Sequence, residues 1–176
     1  DILLASRGIT ASIKGKDSAP IDYLVGLLKI WESVEDKYLT LSPKIRTICT
    51  AYADGINKYI EKFPTRDSKQ IYPVSGKDII AGFALRTPLM YKLDWYITEL
   101  MKDKKPDFSL YTDNLTQHSM HGSNVFAVSP HRSEDSFTRI AVNSHQPWVG
   151  PVTWYEAHIH SDEGWNITGG LFPGSP

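Results

Sequence analysis

Cysteine is almost missing from this sequence: Cys49 is the only one in 176 residues, which excludes an intrachain disulfide framework and a multi-cysteine zinc site. It falls on the apolar stripe of an expected helix with no basic neighbour in sequence, so it reads as a small buried hydrophobe rather than a reactive thiol. An excess of one charge is also lacking. Nineteen Lys and Arg against 20 Asp and Glu leave a formal net charge of −1, and the scattered signs offer no broad basic face to nucleic acid or an anionic membrane. No apolar run approaches the roughly 18 to 20 residues that a membrane helix needs. The start, Asp1-Ile2-Leu3-Leu4-Ala5-Ser6-Arg7, has neither the basic n-region nor the long h-region of a secretory signal. A chain that begins without Met is expected of a mature product or a cloned piece, from which a signal can already be gone.

What is present is an ordinary globular composition, 41% hydrophobic and 22% charged, with enough apolar material for one core. From Ile21 to about Tyr38, the three-to-four-residue spacing of Leu24, Leu27, Leu28, Trp31 and Val34 predicts an amphipathic helix opening after Pro20. Ser42-Pro43 supplies an N-cap and first-turn proline for a second helix. Ile45, Ile48, Cys49, Tyr52, Ile56, Tyr59 and Ile60 mark its face until Pro64. Gly55 lies inside it at a cost of roughly 1 kcal/mol against Ala, which suggests close backbone packing there. After a polar loop, Ser75 caps a third helix from about Gly76, with Ile79, Ile80, Phe83, Ala84 and Leu89 apolar. Pro88 should kink or divide it. The helical period resumes over Tyr91 to Met101 and ends at Pro106.

From Pro106 to Gly122 the composition turns polar and loses periodicity, as a linker does. Strand signals follow at Asn124 to Ser129, Thr138 to Asn143, Thr153 to Ser161 and Trp165 to Thr168. Helices followed by an antiparallel meander make the class α+β, with a helical part over 1–105, a linker over 106–122 and a sheet beginning over 123–176.

Gly122-Ser123-Asn124 is by itself a common tripeptide, but its setting is specific. A polar linker leads into it, the apolar run Val125-Phe126-Ala127-Val128 follows at once, and a second strand delivers Asn143-Ser144-His145-Gln146-Pro147-Trp148. This arrangement resembles the penicillin amidase family, which includes penicillin and cephalosporin acylases and the acylases of N-acyl-homoserine lactones and lipopeptides. Ala51-Tyr52-Ala53-Asp54-Gly55-Ile56-Asn57-Lys58-Tyr59-Ile60 is similar to the helical signature of the family's small chain. Gly122-Ser123-Asn124 resembles its processing junction and Asn143 to Trp148 its histidine turn. Gly169-Gly170-Leu171-Phe172-Pro173-Gly174 resembles the loop after its next strand.

The resemblance implies a precursor that cuts itself between Gly122 and Ser123 and removes a spacer within Pro106 to Gly122. Ser123 is then both processing and catalytic nucleophile. A serine hydroxyl is a weak nucleophile near neutral pH and needs a base; a newly freed α-amine, with an ordinary pKa near 7.7 to 8.0, is a base of suitable strength on the same residue. His145, twenty-two residues further on, is implied as a catalytic histidine that orients or supports the serine's amine and hydroxyl. Asn143 is expected to shape the turn. Gln146, Trp154, Tyr155 and Phe172 are the candidates to line an acyl pocket, helped by the helical part near Met90, Tyr91 and Leu93. With Phe172 there, an apolar pocket favours aliphatic or aromatic acyl chains.

The same resemblance implies a four-layered αββα sandwich of which this chain is a fragment, exported to the periplasm or secreted. Its partners would be a small-molecule acyl amide and the remainder of its own large chain, with no nucleic acid and no membrane. Oxyanion-hole donors would lie beyond Pro176; since one such donor is worth roughly 10²- to 10³-fold in rate, the fragment alone should be nearly inactive. Self-association of its bare strands is a further expectation. No cofactor is implied. Members of that family often bind a structural calcium, which the resemblance allows for the full-length protein; Asp94 and Glu99 are only weak candidates for it, and the ion is left unassigned. The alternation in Thr153 to His160 places Trp154, Glu156, His158 and His160 on one face, but this His-x-His lacks a specified third ligand, so a packed or partly solvated sheet face is the plainer reading. The alternative to an enzyme is a processing-defective relative serving as a binding or structural module.

Overall fold

The structure, a computed structural model, describes residues 1–105, 123–148, 150 and 152–176. The expected linker and Gly122 lie outside them. Among the described residues a helical layer comes first and antiparallel strands follow, as the α+β reading requires.

The helical layer is built around α7 (Gly76–Met90), which packs on α1 (Ile2–Ser6), α4 (Ile30–Lys37), α5 (Pro43–Lys62) and α8 (Leu93–Leu100). Ile79, Ala81 and Leu85 are almost completely buried. A capping box opens α7: Ser75 Oγ accepts from the Asp78 amide while Asp78 Oδ2 accepts from Ser75 N at 2.8 Å. Gly76 is needed in the first turn because a Cβ there would run into the Tyr38 hydroxyl and come within 3.2 Å of Thr50 Oγ1. Pro88 sits in the last turn, where the helix stops; Lys92, in the left-handed region at φ 57°, separates α7 from α8.

The expected single helix over Ile21 to Tyr38 is two helices, α3 (Ala19–Leu27) and α4, divided at Lys29, whose backbone is left-handed at φ 51°. The reason is angular. Ile30 stands six residues after Leu24, about 120° away around a straight helix, yet both are buried, as are Val25 and Val34. One straight helix cannot turn both pairs into one core. Two short helices precede this region. The first-turn amides of Thr10 and Ala11 in α2 (Thr10–Lys14) donate to the two carboxylate oxygens of Asp22 at 2.9 and 2.7 Å. The expected polar loop before Ser75 contains another helix, α6 (Arg66–Ile71), opened by a Thr65–Ser68 capping box.

On α5, the N-cap is Ser42 as predicted, accepting from the Ile45 amide. The line that enters the core is Cys49, Ala53 and Ile60, while Ile45, Ile48 and Tyr59 stay exposed. Gly55 meets no neighbour within 4 Å, so close packing is not its role; it lines an open groove with Ala51, Tyr52, Ile56 and Tyr59. Asn57 explains part of the helical signature. Its amide donates to Val74 O at 2.8 Å and accepts from Val74 N at 2.7 Å, pairing with the backbone just before α7 as a strand neighbour would.

Among the described residues the strands make two separate hairpins rather than one meander. β1 (Asn124–Val128) pairs with β2 (Arg139–Asn143), and β3 (Tyr155–His160) with β4 (Asn166–Leu171). Both expose large apolar side chains, among them Phe126, Ile140, Val142 and Ile159.

Candidate active site

Hairpin register converts a separation in sequence into proximity. Asn124, the first residue of β1, faces Asn143, the last of β2, so Ser123 and the His145 turn leave the same end of the hairpin. Asn124 Nδ2 lies 3.1 Å from His145 Nε2. Asn143 shapes the turn, as expected: its Oδ1 accepts from the His145 amide at 3.2 Å. His145 itself lies in the left-handed region at φ 49°, a conformation that costs a non-glycine residue of order 1 kcal/mol. Ser123 and His145 are exposed.

The wall of the candidate acyl pocket is assembled from three elements. Trp154, just before β3, stacks on Phe172, just after β4, with ring centroids 4.3 Å apart and planes 16° apart. Gly170 makes this possible. A Cβ at that position would lie 3.1 Å from the Trp154 indole, so the glycine lets the ring lie flat against β4. Trp154 Nε1 donates to Ser144 Oγ, beside His145. The segment expected as a loop over Gly169 to Gly174 is therefore strand through Leu171, and loop only from Phe172.

Of the other pocket candidates, Tyr155 stands opposite Leu171 in β3, one residue from Trp154 and hence on the other face of the ribbon, largely exposed. Gln146 is half-buried, Met90 and Tyr91 are exposed and Leu93 is half-buried. The structure brings Trp154 and Phe172 together and leaves Tyr155 away from their face. In β3, His158 Nε2 donates to Asn166 Oδ1 at 2.6 Å across the hairpin, a pairing within the sheet. Glu99, one of the two weak calcium candidates, is buried and already paired with Lys102. Among the described residues no three His, Cys, Asp or Glu side chains gather in a way that could hold a metal ion.

The residue that sequence reading missed is Arg86. It is only 2% exposed, on the same face of α7 as Ile79 and Leu89. Its guanidinium carbon lies 4.7 Å from the Phe172 ring centroid, its Nη2 donates to Pro173 O at 2.6 Å, and its Nη1 donates to Ser175 Oγ. A charged residue seven positions after Ile79 and three before Leu89, in the middle of an apolar stripe, was the available signal.

These features can be set beside known proteins. The family model described as penicillin amidase matches residues 2–176. The acyl-homoserine lactone acylase PvdQ of Pseudomonas savastanoi pv. phaseolicola is 22% identical over 188 aligned positions, covering 94% of this chain and 24% of the relative. The chain thus spans about a quarter of that relative's length. No solved structure gives a significant match.

Proposed function

The chain belongs to the penicillin amidase family, and from that membership we propose that the whole protein is an acylase. It hydrolyses a linear amide, such as an acyl-homoserine lactone or a penicillin, cephalosporin or lipopeptide side chain, through an acyl-enzyme on Ser123. The observation that carries this reading is the convergence of Ser123 and the His145 turn at one end of the β1–β2 hairpin, with Asn124 touching His145 at 3.1 Å.

Self-cleavage before Ser123 frees its α-amine, which takes the hydroxyl proton as Oγ attacks the acyl carbonyl and returns it to the departing amine. Water then attacks the ester by the reverse proton route, releasing the acid and restoring Ser123. His145 serves as a polar support beside the amine, and the Trp154–Phe172 wall receives an aliphatic or aromatic acyl chain. Oxyanion donors come from the remainder of the large chain. Export to the periplasm or beyond the cell accompanies this reading; no described helix is long and apolar enough to cross a membrane.

The test is Ser123→Ala in the full-length protein. Mass spectrometry should find the wild type as two chains, the larger beginning at Ser123, and the variant as one uncut, inactive chain. Normal processing and turnover in the variant would overturn the assignment.

A further inference from the structure

Arg86 is a buried cation whose partners among the described residues are all neutral: a carbonyl, a hydroxyl and an aromatic face. Its Nε finds no acceptor among the described residues, and it takes part in none of the described ion pairs. Burial pulls its pKa below the ordinary arginine value, the direction expected for a cation removed from water. A guanidinium is seldom placed in a core without a carboxylate, because desolvation is costly and only well-formed hydrogen bonds offset it. Among the described residues, each hydrogen bond Arg86 makes goes to the loop 172–176. That loop also approaches α1, where a Cβ on Gly174 would come within 2.7 Å of Ile2 Cγ2.

The contacts continue without a gap toward the nucleophile. Arg86 lies over Phe172, Phe172 stacks on Trp154, Trp154 donates to Ser144, and His145, the next residue, meets the Asn124 that follows Ser123. We propose that Arg86 is a positioning residue of the acyl pocket, which clamps the loop after β4 so that Phe172 and Trp154 form a rigid wall for the acyl chain and steady the His145 turn. This rests on the acylase reading given above. Arginine suits the task because one planar group can stack on a ring while its fork holds two oxygens; a lysine could reach an oxygen but offers no plane. The clamp acts on acyl-chain binding more than on bond making, since it touches neither Ser123 nor the scissile amide.

The experiment uses the full-length protein with Arg86→Met, Arg86→Lys, Ser175→Ala and Phe172→Leu, and a series of acyl p-nitroanilides of increasing chain length. Arg86→Met should still be cut before Ser123 and should raise KM for the longer acyl groups about tenfold, with kcat changed several times less. Arg86→Lys should restore little of this, Ser175→Ala should shift KM the same way but less, and Arg86→Met with Phe172→Leu should be no worse than the worse single variant. Unchanged KM across the series, a loss confined to kcat, or additive effects would overturn the proposal. If Arg86→Met does not fold, Ser175→Ala and Phe172→Leu decide by the same KM criterion.

A second measurement does not depend on activity. The Trp154 emission, taken as the difference from Trp154→Phe, should shift to the red in Arg86→Met while far-ultraviolet dichroism is unchanged; an unmoved emission overturns the clamp. A wild type that neither cuts itself nor hydrolyses any anilide would instead sink the acylase reading, and the emission would then decide the clamp alone.

Discussion

Asp78 carries several tasks on one carboxylate. It closes the capping box of α7, accepts from Ser75 Oγ at 2.7 Å, and receives Arg7 Nε at 2.6 Å from the N-terminal region. Burial by itself pushes its pKa up, but the hydrogen bonds from Arg7 and Ser75 outweigh it and hold the pKa below the ordinary carboxylate value. The folded state therefore binds this proton less readily than the unfolded chain. The stability that results is present above the unfolded value of about 3.9 and is lost as pH falls through the lower folded value. Urea unfolding from pH 7 to pH 3 should show an acid loss that flattens in Asp78→Asn. At neutral pH that variant should be less stable by about 2 kcal/mol, since Arg7 loses its charged partner while remaining partly in contact with water. An undiminished acid loss in the variant would place the effect on other groups.

Among the elements, α5 and α7 both begin with serine N-caps but differ in what the cap holds. Ser42 accepts from one amide. Ser75 belongs to a reciprocal box whose acidic member also binds Arg7. Ser75→Ala should thus cost about 1 to 2 kcal/mol and Ser42→Ala nearer 0.5. In thermal unfolding of a chain this size each kcal/mol moves the midpoint by about 2 to 4 °C, so the Ser75 variant should melt clearly lower. Equal midpoints would mean that the α7 cap adds nothing beyond an isolated one. Among the described residues the hairpins have no comparable cap, and their ties lie at their ends. β1 and β2 are joined through a turn where Asp135 accepts from the Phe137 amide at 3.2 Å and pairs with Arg139, while the loop after β4 is tied to α7 by Arg86.

At the scale of the whole molecule, the contrast among the described residues is between a layer with a core and sheets without one. Leu24, Ala53 and Leu85 are fully enclosed, whereas Phe126, Val142 and Tyr155 on the hairpins are more than half exposed and Trp148 is 98% exposed. Apolar strands with open edges are templates for pairing. We therefore predict that the 176-residue chain associates through its hairpins, seen in sedimentation velocity as a rising average mass between about 1 and 100 µM. A charge placed on the strand face, Ile159→Lys, should reduce this. A concentration-independent monomer would show that the helical layer is sufficient by itself. The uncut chain should also give only background in an acyl-amide assay, because Ser123 then lacks its free amine.

Composition and period alone determined the class, the Ser42 and Ser75 caps, the burial of Cys49, and the location of each strand to within a few residues, because these depend on local backbone chemistry and a repeating apolar spacing. The family was likewise legible in short ordered motifs. The division at Lys29, the idle Gly55 and the split into two hairpins depend on what each face meets across the fold, which periodicity does not encode. The same holds at the site. Ser123 and His145 could be named in sequence, but their convergence came from the register that sets Asn124 against Asn143. Arg86 was legible only as a misplaced charge in an apolar stripe. What it holds became visible when tertiary packing brought Phe172, Pro173 and Ser175, eighty-six to eighty-nine residues away, onto its guanidinium, a contact between distant segments that no local pattern contains.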